Sequence, residues 1–360
     1  MKFSLCMIVR DEEDVLERCL SSAAGLFDEI VIVDTGSKDR TCEIARQFTD
    51  KVYDFEWVDD FAAARNFAFS KASGDYLMWL DADDVIEGEN YRLFEELFRD
   101  IERTHPDVVM LAYNVAFEGE RVTLSYERER VLRAEAGFWF EGAVHEAVPP
   151  RGKVIHGSAA VSHRKMGVRS STRNLGIFEK MLANGRTFSA RECYYYAREL
   201  RWAGRSNEAV EWYQKCADDE QAWLENRVSA AFEMSTLLWE TGERELSDEA
   251  LMKCLMMAEP RADVCCEIGR RHLERRQLGA AKFWYELAPR QFLKPLGGFL
   301  HADFGGYIPY LQLCVIYDRL GETKLAAEYN ELAGKVKPDS KAVSQNREYF
   351  AGKGISQTTP

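Results

Sequence analysis

The chain has 360 residues, a length that suits two ordinary domains better than one. Apolar residues make up 46% of it and aromatic residues 12%, which excludes a disordered or fibrous chain. The net charge is −13, and all of this excess lies in residues 1–165, which hold 20 basic and 33 acidic side chains, whereas residues 166–360 hold 27 of each. Because nucleic-acid binding needs a basic surface, broad electrostatic capture of nucleic acid is excluded.

The first half alternates strand and helix patterns. Apolar runs predict four strands, and each is followed by apolar residues at helical spacing. We expect strands at Phe3–Val9, Glu29–Asp34, Lys51–Trp57 and Tyr76–Leu80, and helices around Val15–Leu20 and at Ser37–Phe48, Phe61–Ala72 and Asn90–Arg103. This alternation predicts a mainly parallel α/β sheet with helices on both faces. The stretch from Asp107 to His163 is rich in Val and Phe and predicts further strands at the edge of a mixed sheet.

After about Arg169 the pattern is helical almost to the end of the chain. Four glycines, each with an alanine within the next eight residues, recur at spacings of 38, 37 and 42 residues: Gly204, Gly242, Gly279 and Gly321. A small residue at a helix–helix turn followed by alanine packing is the tetratricopeptide-like pattern, whose usual period is about 34 residues. We therefore predict an α/β domain, degenerate helical repeats and a flexible tail, over residues 1–168, 169–345 and 346–360.

The cysteines and the hydropathy pattern indicate a cytoplasmic protein. No window approaches the roughly 20 apolar residues that a membrane-spanning helix needs. The apolar run at Phe3–Val9 is followed at once by acidic residues, which is not the pattern of a signal peptide. Nine cysteines, scattered from Cys6 to Cys314 with no Cys-x-x-Cys pair, suit reduced thiols.

Three acidic residues lie at the carboxyl ends of predicted strands: Asp34 ends its strand, Asp81 directly follows one, and Asp11 lies two residues beyond another. Because ligands of parallel α/β sheets bind beyond the carboxyl ends of the strands, this placement is the first indication of a site. Asp81 and Asp83 lie one residue apart after an apolar strand, an arrangement that suits Mg²⁺ or Mn²⁺ held together with substrate phosphates. An Asp-x-Asp sequence alone is also typical of a solvated turn.

Two further segments strengthen the interpretation of this edge as a nucleotide site. The run Asp34–Thr41 follows a buried strand and opens a helix, so it can hold a nucleoside against a helix N-terminus. Asp60 precedes a helix that carries Arg65 in its first turns. Asp39 is equally well suited to capping its helix, and we expect Asp84 to be a helix N-cap or a solvated neighbour rather than a ligand.

Together these motifs resemble the family-2 inverting glycosyltransferases of the GT-A fold, in the branch where that domain is fused to tetratricopeptide-like repeats. The sublancin-type peptide S-glycosyltransferases share this plan. The resemblance implies a nucleotide-diphospho-sugar transferase domain. It also implies inverting transfer of a hexose from a nucleotide-activated donor, usually a UDP-sugar, with Mn²⁺ or Mg²⁺.

The resemblance implies roles for residues on the nucleotide side of the site. Asp34 would read the uracil, and Arg65 would lie beside the base and the phosphates. Asp81 would contact the ribose or the metal, and Asp83 would bind the metal directly. The other residues expected in the nucleotide pocket are Arg10, Asp11, Asp60 and His145. At Asp11 the family usually has Asn.

The acceptor side is predicted from a second segment. Phe140–Glu146 resembles the Gly-x-Val-His-Glu segment that the family places near the acceptor. Because an inverting displacement needs a base on the face opposite the leaving diphosphate, we predict that Glu146 is this base, ahead of a surface Glu141. The alternative role of His145 is to orient Glu146. His163 fits the later family histidine that completes metal or diphosphate binding.

The acceptor is less well defined by the sequence. The repeats favour a polypeptide, modified on a Cys, Ser or Thr side chain, while a cell-surface glycan or a lipid-linked acceptor stays open. Exposed repeats also favour a homodimer. A nucleotidyltransferase is the alternative enzyme, although the loop at Arg10–Glu13 lacks the glycines of a phosphate-binding loop. The non-enzymatic alternative is a repeat scaffold with a sugar-nucleotide sensor domain.

Overall fold

The computed structural model describes residues 1–165, 172–292 and 298–355. Its contacts divide the chain into two compact units, Met1–Phe188 and Ser189–Pro360. The boundary that we predicted between residues 168 and 169 lies outside the described residues, and the division by contacts follows Phe188 instead. Among the helices that the structure describes, none is both long enough and apolar enough to cross a membrane.

The first unit is built on strands and helices that alternate along the chain. Its strands are β1 (Phe3–Val9), β2 (Glu29–Asp34), β3 (Val52–Asp54), β4 (Tyr76–Trp79), β5 (Asp84–Val85), β6 (Val108–Glu118), β7 (Arg121–Arg133) and β8 (Val154–His163). Its helices are α1 (Leu16–Ser22), α2 (Thr41–Ala45), α3 (Phe61–Lys71), α4 (Asn90–Thr104) and α5 (Arg173–Ala183). The four predicted strand–helix pairs of the first half are therefore all present.

The strands of the first unit form one mixed sheet in the order β3-β2-β1-β4-β7-β6-β8-β5. Strands β1 to β4 pair in parallel with one another, whereas β7 joins β4 in the antiparallel direction. The α/β class and the parallel half of the sheet are confirmed. Val9 pairs with Asp34, and Asp34 pairs with Asp54, so the carboxyl ends of three parallel strands lie at one edge.

The sheet has a hydrophobic core on each face because side chains alternate along its strands. Leu5 and Met7 of β1 are fully buried on the face that packs against α1 and α4. Cys6 of the same strand lies in the opposite core with Ala68 of α3 and Trp79 of β4. Helices therefore cover both faces, as the alternating pattern predicted, and the strand ends are left at the edge.

A buried carboxylate joins the amino ends of the parallel strands. Glu29 of β2 is 6% exposed and accepts hydrogen bonds from the backbone nitrogen of Ser73 (2.7 Å) and from its hydroxyl (2.9 Å). The Lys51 ammonium and the Ser4 hydroxyl also donate to it. Burial alone would raise the pKa of Glu29, but these donors outweigh it and lower the pKa from 4.5 to about 2.

We expect this carboxylate to make the first unit sensitive to acid. Because the folded pKa lies below the unfolded one, the stabilisation is complete above pH 4.5 and is lost as pH falls towards 2. The free-energy difference between the parent and Glu29→Gln should be on the order of 3 kcal/mol at neutral pH and should shrink through this window. Hydrogen exchange of the β1 and β2 amides measures it. A difference that stays constant with pH would contradict this prediction.

The second unit is helical. Its helices are α6 (Ala190–Trp202), α7 (Ser206–Asp218), α8 (Leu224–Thr241), α9 (Arg244–Met257), α10 (Ala262–Glu274), α11 (Leu278–Phe292), α12 (Tyr307–Arg319), α13 (Thr323–Val336) and α14 (Lys341–Gly352). Four successive pairs pack as hairpins, α6 with α7, α8 with α9, α10 with α11 and α12 with α13. The all-α domain of tetratricopeptide-like repeats that we predicted is confirmed.

The repeat glycines explain three of the four hairpin turns. Gly204, Gly242 and Gly321 have φ of 76°, 93° and 85°, a left-handed conformation that glycine adopts without steric strain and that ends a helix. Gly279 differs, since it lies inside the first turn of α11, after a turn in which Arg276 has φ of 59°. The glycine spacing thus located the hairpins even where the glycine is not the turn residue.

The C-terminal segment differs from the tail that we predicted from residue 346 onward. Helix α14 continues to Gly352, with Ser340 as its N-cap accepting from the backbone nitrogen of Val343 (3.3 Å). Phe350 is 4% exposed and belongs to the core of the last repeats, which holds the helix in place. Residues 356–360 of the predicted tail lie outside the described residues.

Candidate active site

Asp34, the last residue of β2, is buried and closes the turn that follows it. Its carboxylate accepts hydrogen bonds from the backbone nitrogens of Gly36 and Ser37, both at 3.0 Å, and from the Ser37 hydroxyl. Asp11 reaches the same turn from the β1 loop, because its Oδ1 accepts from the Lys38 nitrogen at 2.7 Å. The loops after β1 and β2 are therefore joined at the carboxyl edge of the sheet.

The backbone at Asp11 gives a physical reason for the residue found there. Its φ of 53° lies in the left-handed region, which Asn and Asp adopt more readily than other non-glycine residues. Replacement of the family's Asn by Asp is therefore compatible with the loop. Arg10 precedes it with a partly exposed side chain, whose Nε lies 3.9 Å from Asp11 Oδ2.

Two acidic residues of this edge accept hydrogen bonds from backbone nitrogens near helix starts. The Asp39 carboxylate accepts from the backbone nitrogens of Thr41 (2.9 Å) and Glu13 (3.1 Å), next to Arg40, the N-cap position of α2, which begins at Thr41 and is shorter than we predicted. Asp60 is the N-cap of α3, and its Oδ1 accepts from the Ala63 nitrogen at 2.9 Å. In the described contacts both carboxylates therefore serve their helices, and the nucleotide role of Asp60 stays a prediction.

Arg65, one turn into α3, connects two of the predicted site residues. Its Nη2 donates to Asp81 Oδ1 at 2.5 Å and its Nε donates to Glu146 Oε1 at 2.6 Å. The guanidinium is 4.6 Å from the centroid of the Trp79 ring, and the residue is 6% exposed. The structure thus brings together a carboxylate from each half of the predicted site on one buried cation.

The contacts along the row Asp81–Arg65–Glu146 keep Arg65 and Asp81 charged. Burial alone would lower the pKa of Arg65, but Asp81 and Glu146 outweigh it and raise the pKa. Burial alone would raise the pKa of Asp81, whereas Arg65 and Arg130 lower it to about 2. Arg65 is therefore protonated and Asp81 ionised at neutral pH. The Nη1 of Arg65 is buried and has no hydrogen-bond partner within the described residues, so one donor stays available.

The segment that carries Glu146 is held on the same helix as Arg65. The Asn66 side chain donates to the Phe140 carbonyl (3.0 Å) and accepts from the Phe140 nitrogen (2.8 Å). Glu141 and Ala147 exchange backbone hydrogen bonds, which close the loop between them. Inside this loop His145 is half-buried with φ of 54°, and Glu146 is 8% exposed. Helix α3 therefore positions both ends of the Arg65–Glu146 pair.

Asp84 corrects one of our predictions. We expected a helix cap or a solvated neighbour, but Asp84 is fully buried in β5, opposite His163 of β8. Its carboxylate accepts from Arg130 Nη1 (3.1 Å), from the Tyr113 hydroxyl (2.8 Å) and from the Asp81 nitrogen (3.0 Å). The sequence missed this role because nothing in it shows that the residues after β4 form another short strand.

Asp83, Asp84 and His163 form a group in which one potential ligand atom of each lies within 4.8 Å of the others. The His163 Nδ1 is 3.2 Å from Asp83 Oδ1 and 3.3 Å from Asp84 Oδ1. Two carboxylates and an imidazole are a donor set that fits Mn²⁺ or Mg²⁺. Asp81, the third predicted metal ligand, is outside this group, and its Oδ1 accepts from Arg65.

The imidazole of His163 carries a proton in this arrangement. Burial alone would lower its pKa, but the hydrogen bonds and charges of Asp83 and Asp84 raise it to about 10. A metal ligand must be deprotonated, so a cation bound here would take the place of that proton.

Two arginines of β7 were missed by the sequence analysis. Arg130 is fully buried 3.9 Å from the Trp79 ring centroid, and its Nη1 donates to the Trp79 carbonyl at 3.0 Å. Arg128 lies 4.7 Å from the same centroid and donates to the Glu146 carbonyl at 3.0 Å. Residues two apart in a strand share a face, so the spacing was a usable signal. These cations offset the carboxylates around them.

The fold and this edge define the class of the first unit as an α/β domain with a charged site beyond its parallel strands. Residues 4–161 match the model of Glycosyl transferase family 2, and the first unit belongs to this family. The family that we inferred from the motifs is thereby confirmed.

The named relatives of this chain include a repeat protein and a glycosyltransferase. A TPR repeat-containing protein of Synechococcus elongatus is 38% identical over 147 residues, which are 40% of this chain and 35% of that protein. The SPbeta prophage-derived glycosyltransferase SunS of Bacillus subtilis is 27% identical over 248 residues, 64% of this chain and 57% of SunS. Among solved structures, S. aureus TarS residues 1–349 align over 71% of this chain and 89% of that one, with 17% identity and a TM-score of 0.38. The chain thus spans between a third and three fifths of the length of these two curated relatives.

Proposed function

We propose that this protein is a metal-dependent inverting glycosyltransferase that moves a hexose from a UDP-sugar to a polypeptide. The observation that carries the proposal is the row Asp81–Arg65–Glu146, which adjoins the group of Asp83, Asp84 and His163 through the hydrogen bond from the Asp81 nitrogen to Asp84. This arrangement supports the proposal, because the potential metal ligands and the carboxylate that we propose as the base lie near the same buried cation. Membership of the first unit in the family supports the reaction class.

On the donor side, we assign Asp83 and His163 as the residues that hold the metal, with Asp84 fixing the orientation of His163. When bound, the metal would neutralise charge on the departing diphosphate. The free Nη1 donor of Arg65 suits a phosphate oxygen. We propose that Asp34 belongs to the part of the site that binds the nucleoside. Because its carboxylate accepts three hydrogen bonds from the turn, we propose that it acts mainly by fixing Gly36 and Ser37.

On the acceptor side, we propose that Glu146 is the general base. The acceptor hydroxyl or thiol attacks the anomeric carbon on the face opposite UDP, and its proton passes to Glu146. The new bond to the sugar forms as the bond to the diphosphate oxygen breaks, so the configuration at that carbon inverts. The ion pair with Arg65 holds the Glu146 carboxylate in one orientation for this transfer.

The proposal of a polypeptide acceptor rests on the second unit. Stacked helical hairpins form extended surfaces of the kind on which repeat proteins bind peptides. Trp202 and Trp223 of the second unit are 66% and 55% exposed. They are therefore free to contact a partner. The nine free cysteines support a reducing compartment, and we propose the cytoplasm.

A donor panel tests the proposed activity. The full chain would be incubated with UDP- and GDP-linked hexoses and Mn²⁺, and the released nucleotide would be measured. We expect release from a UDP-sugar and loss of that release when the metal is chelated. Calorimetry should show UDP binding that is at least about tenfold tighter with Mn²⁺ than without it. Equal UDP affinity in the presence and absence of metal would contradict the proposed metal dependence.

A further inference from the structure

The second unit contains a pocket that the glycosyltransferase site does not use. It is a partly open pocket with a cavity volume of about 30 Å³, between the amino ends of α8 and α10 and the carboxyl end of α11. Its walls include three aromatic rings, from Phe292, Phe299 and Phe304. Arg198 stacks 5.3 Å from the Phe299 centroid and so supports that wall.

The charged residues of the pocket leave one carboxylate weakly compensated. Arg261 makes a bidentate pair with Asp263, at 3.1 Å to Oδ1 and 2.6 Å to Oδ2. Its remaining Nη1 reaches Glu225 Oε2 only at 3.3 Å and also donates to the Ser229 hydroxyl at 2.9 Å. Two carboxylates thus share one guanidinium. The pocket carries a net negative charge.

Glu225 is in an unfavourable position for a free carboxylate. The residue is 7% exposed, and burial raises its pKa even though Arg261 opposes this shift. Among the described contacts its Oε1 accepts no hydrogen bond. A ligand that donated to this oxygen would compensate the charge of a carboxylate on a residue that is only 7% exposed.

A second unpaired acceptor lines the same pocket. The Gln291 Oε1 atom is buried and has no hydrogen-bond partner among residues 1–165, 172–292 and 298–355. Buried acceptors without donors are rare in folded proteins and point to a missing partner. Two acceptors, a net negative charge and aromatic walls are together complementary to a cation that donates several hydrogen bonds.

We propose that this pocket binds the ammonium or guanidinium group of a Lys or Arg side chain in a polypeptide. Its use as an acceptor subsite rests on the proposed function, whereas the binding itself does not. Gly298 permits the close approach of the backbone, because a Cβ at this position would lie 2.8 Å from Glu225 Oε2. Alanine there would therefore displace the Glu225 carboxylate, since the three atoms nearest to the added Cβ all belong to the side chains of Glu225 and Arg261.

The test uses the full chain and capped alanine-based pentapeptides with one central Lys, Arg, norleucine or Glu, titrated by NMR line broadening. We expect the Lys and Arg peptides to bind at least about tenfold more tightly than the norleucine peptide, and the Glu peptide not to bind. This preference should disappear in Glu225→Gln and weaken in Gly298→Ala. Glu240→Gln is the matched control, since Glu240 is an exposed residue of the same helix.

Equal affinity of the Lys and norleucine peptides, or an unchanged preference in Glu225→Gln, would overturn the proposal. Thermal melts of the variants show whether the second unit is intact, and Gly298→Ala gives an independent answer if Glu225→Gln unfolds. UDP binding in the presence of Mn²⁺, measured on the same samples, reports on the other unit. Absence of UDP binding would overturn the proposed function and would leave the selective binding of basic peptides unaffected.

Discussion

Replacement of Glu146 by Gln should reduce sugar transfer by about 10²–10⁴-fold, the range that a positioned general base contributes. The amide oxygen of Gln can still accept the hydrogen bond that Arg65 Nε now donates to Glu146 at 2.6 Å. The loop between residues 141 and 147 is closed by backbone hydrogen bonds, so the substitution leaves its geometry unchanged. We therefore expect transfer to be lost while UDP binding in the presence of Mn²⁺ persists within about twofold.

The matched control for this experiment is Glu141→Gln. Glu141 belongs to the same loop, but its side chain is exposed and only its backbone takes part in the bridge to Ala147. Transfer by this variant should equal that of the parent, measured as product formed from the donor identified in the panel. Full turnover by Glu146→Gln would exclude Glu146 as the base, and loss of UDP binding would assign it a role in donor binding instead.

The elements of the first half were predictable because their apolar patterns are strong. β1 and β2 have the predicted bounds, and α3 and α4 differ from them by one residue at their carboxyl ends. The pattern failed at α2, which we expected from Ser37, because side-chain hydrogen bonds to the backbone compete there with helix formation. Patterns of hydrophobicity do not record such local competition.

The site was predictable where chemistry follows directly from position at a strand end. Asp34 ends a predicted strand and Asp81 and Asp83 follow another, and in the structure Asp81 forms an ion pair with Arg65. The link from Arg65 to Glu146 spans 81 positions of the chain and depends on the packing of a loop against α3. No local pattern encodes such a contact, and the resemblance to a family supplied Glu146 instead.

The structure shows how the acidic excess of the first unit is balanced around the candidate site. The sequence showed only that the acidic excess lies in residues 1–165. The structure shows that the acidic residues around Trp79 are interleaved with three arginines, whose guanidinium groups lie 4.6, 4.7 and 3.9 Å from its ring centroid: Arg65, Arg128 and Arg130. The charges of the buried part of the site are therefore close to balanced, and the partly exposed Asp83 and His163 are where we propose that a cation binds.

The second prediction with a large effect is that substitutions of the adjacent residues Asp83 and Asp84 change the stability of the first unit by very different amounts. Asp84→Ala should destabilise the first unit by about 3–5 kcal/mol, because it leaves the fully buried Arg130 without its carboxylate partner. The thermal-unfolding midpoint of that unit should fall by on the order of 10 °C. Asp83→Ala should change stability by less than about 1 kcal/mol, because the Asp83 side chain is 21% exposed and its ion pair is with His163.

The same two variants distinguish a residue that stabilises the fold around the proposed metal site from a residue that binds the metal. Asp83→Ala should keep its fold, measured by thermal melting, and should lose the increase in UDP affinity that Mn²⁺ gives to the parent. Arg130→Met provides the matched control for stability, since it removes the other member of the buried pair and should lower the midpoint as Asp84→Ala does. If Asp84→Ala melts like the parent, the buried network does not hold β5 against β8. If Asp83→Ala still binds UDP more tightly with Mn²⁺, the ion is held by other residues, and Asp81 becomes the first alternative because its side chain is 33% exposed at the same edge.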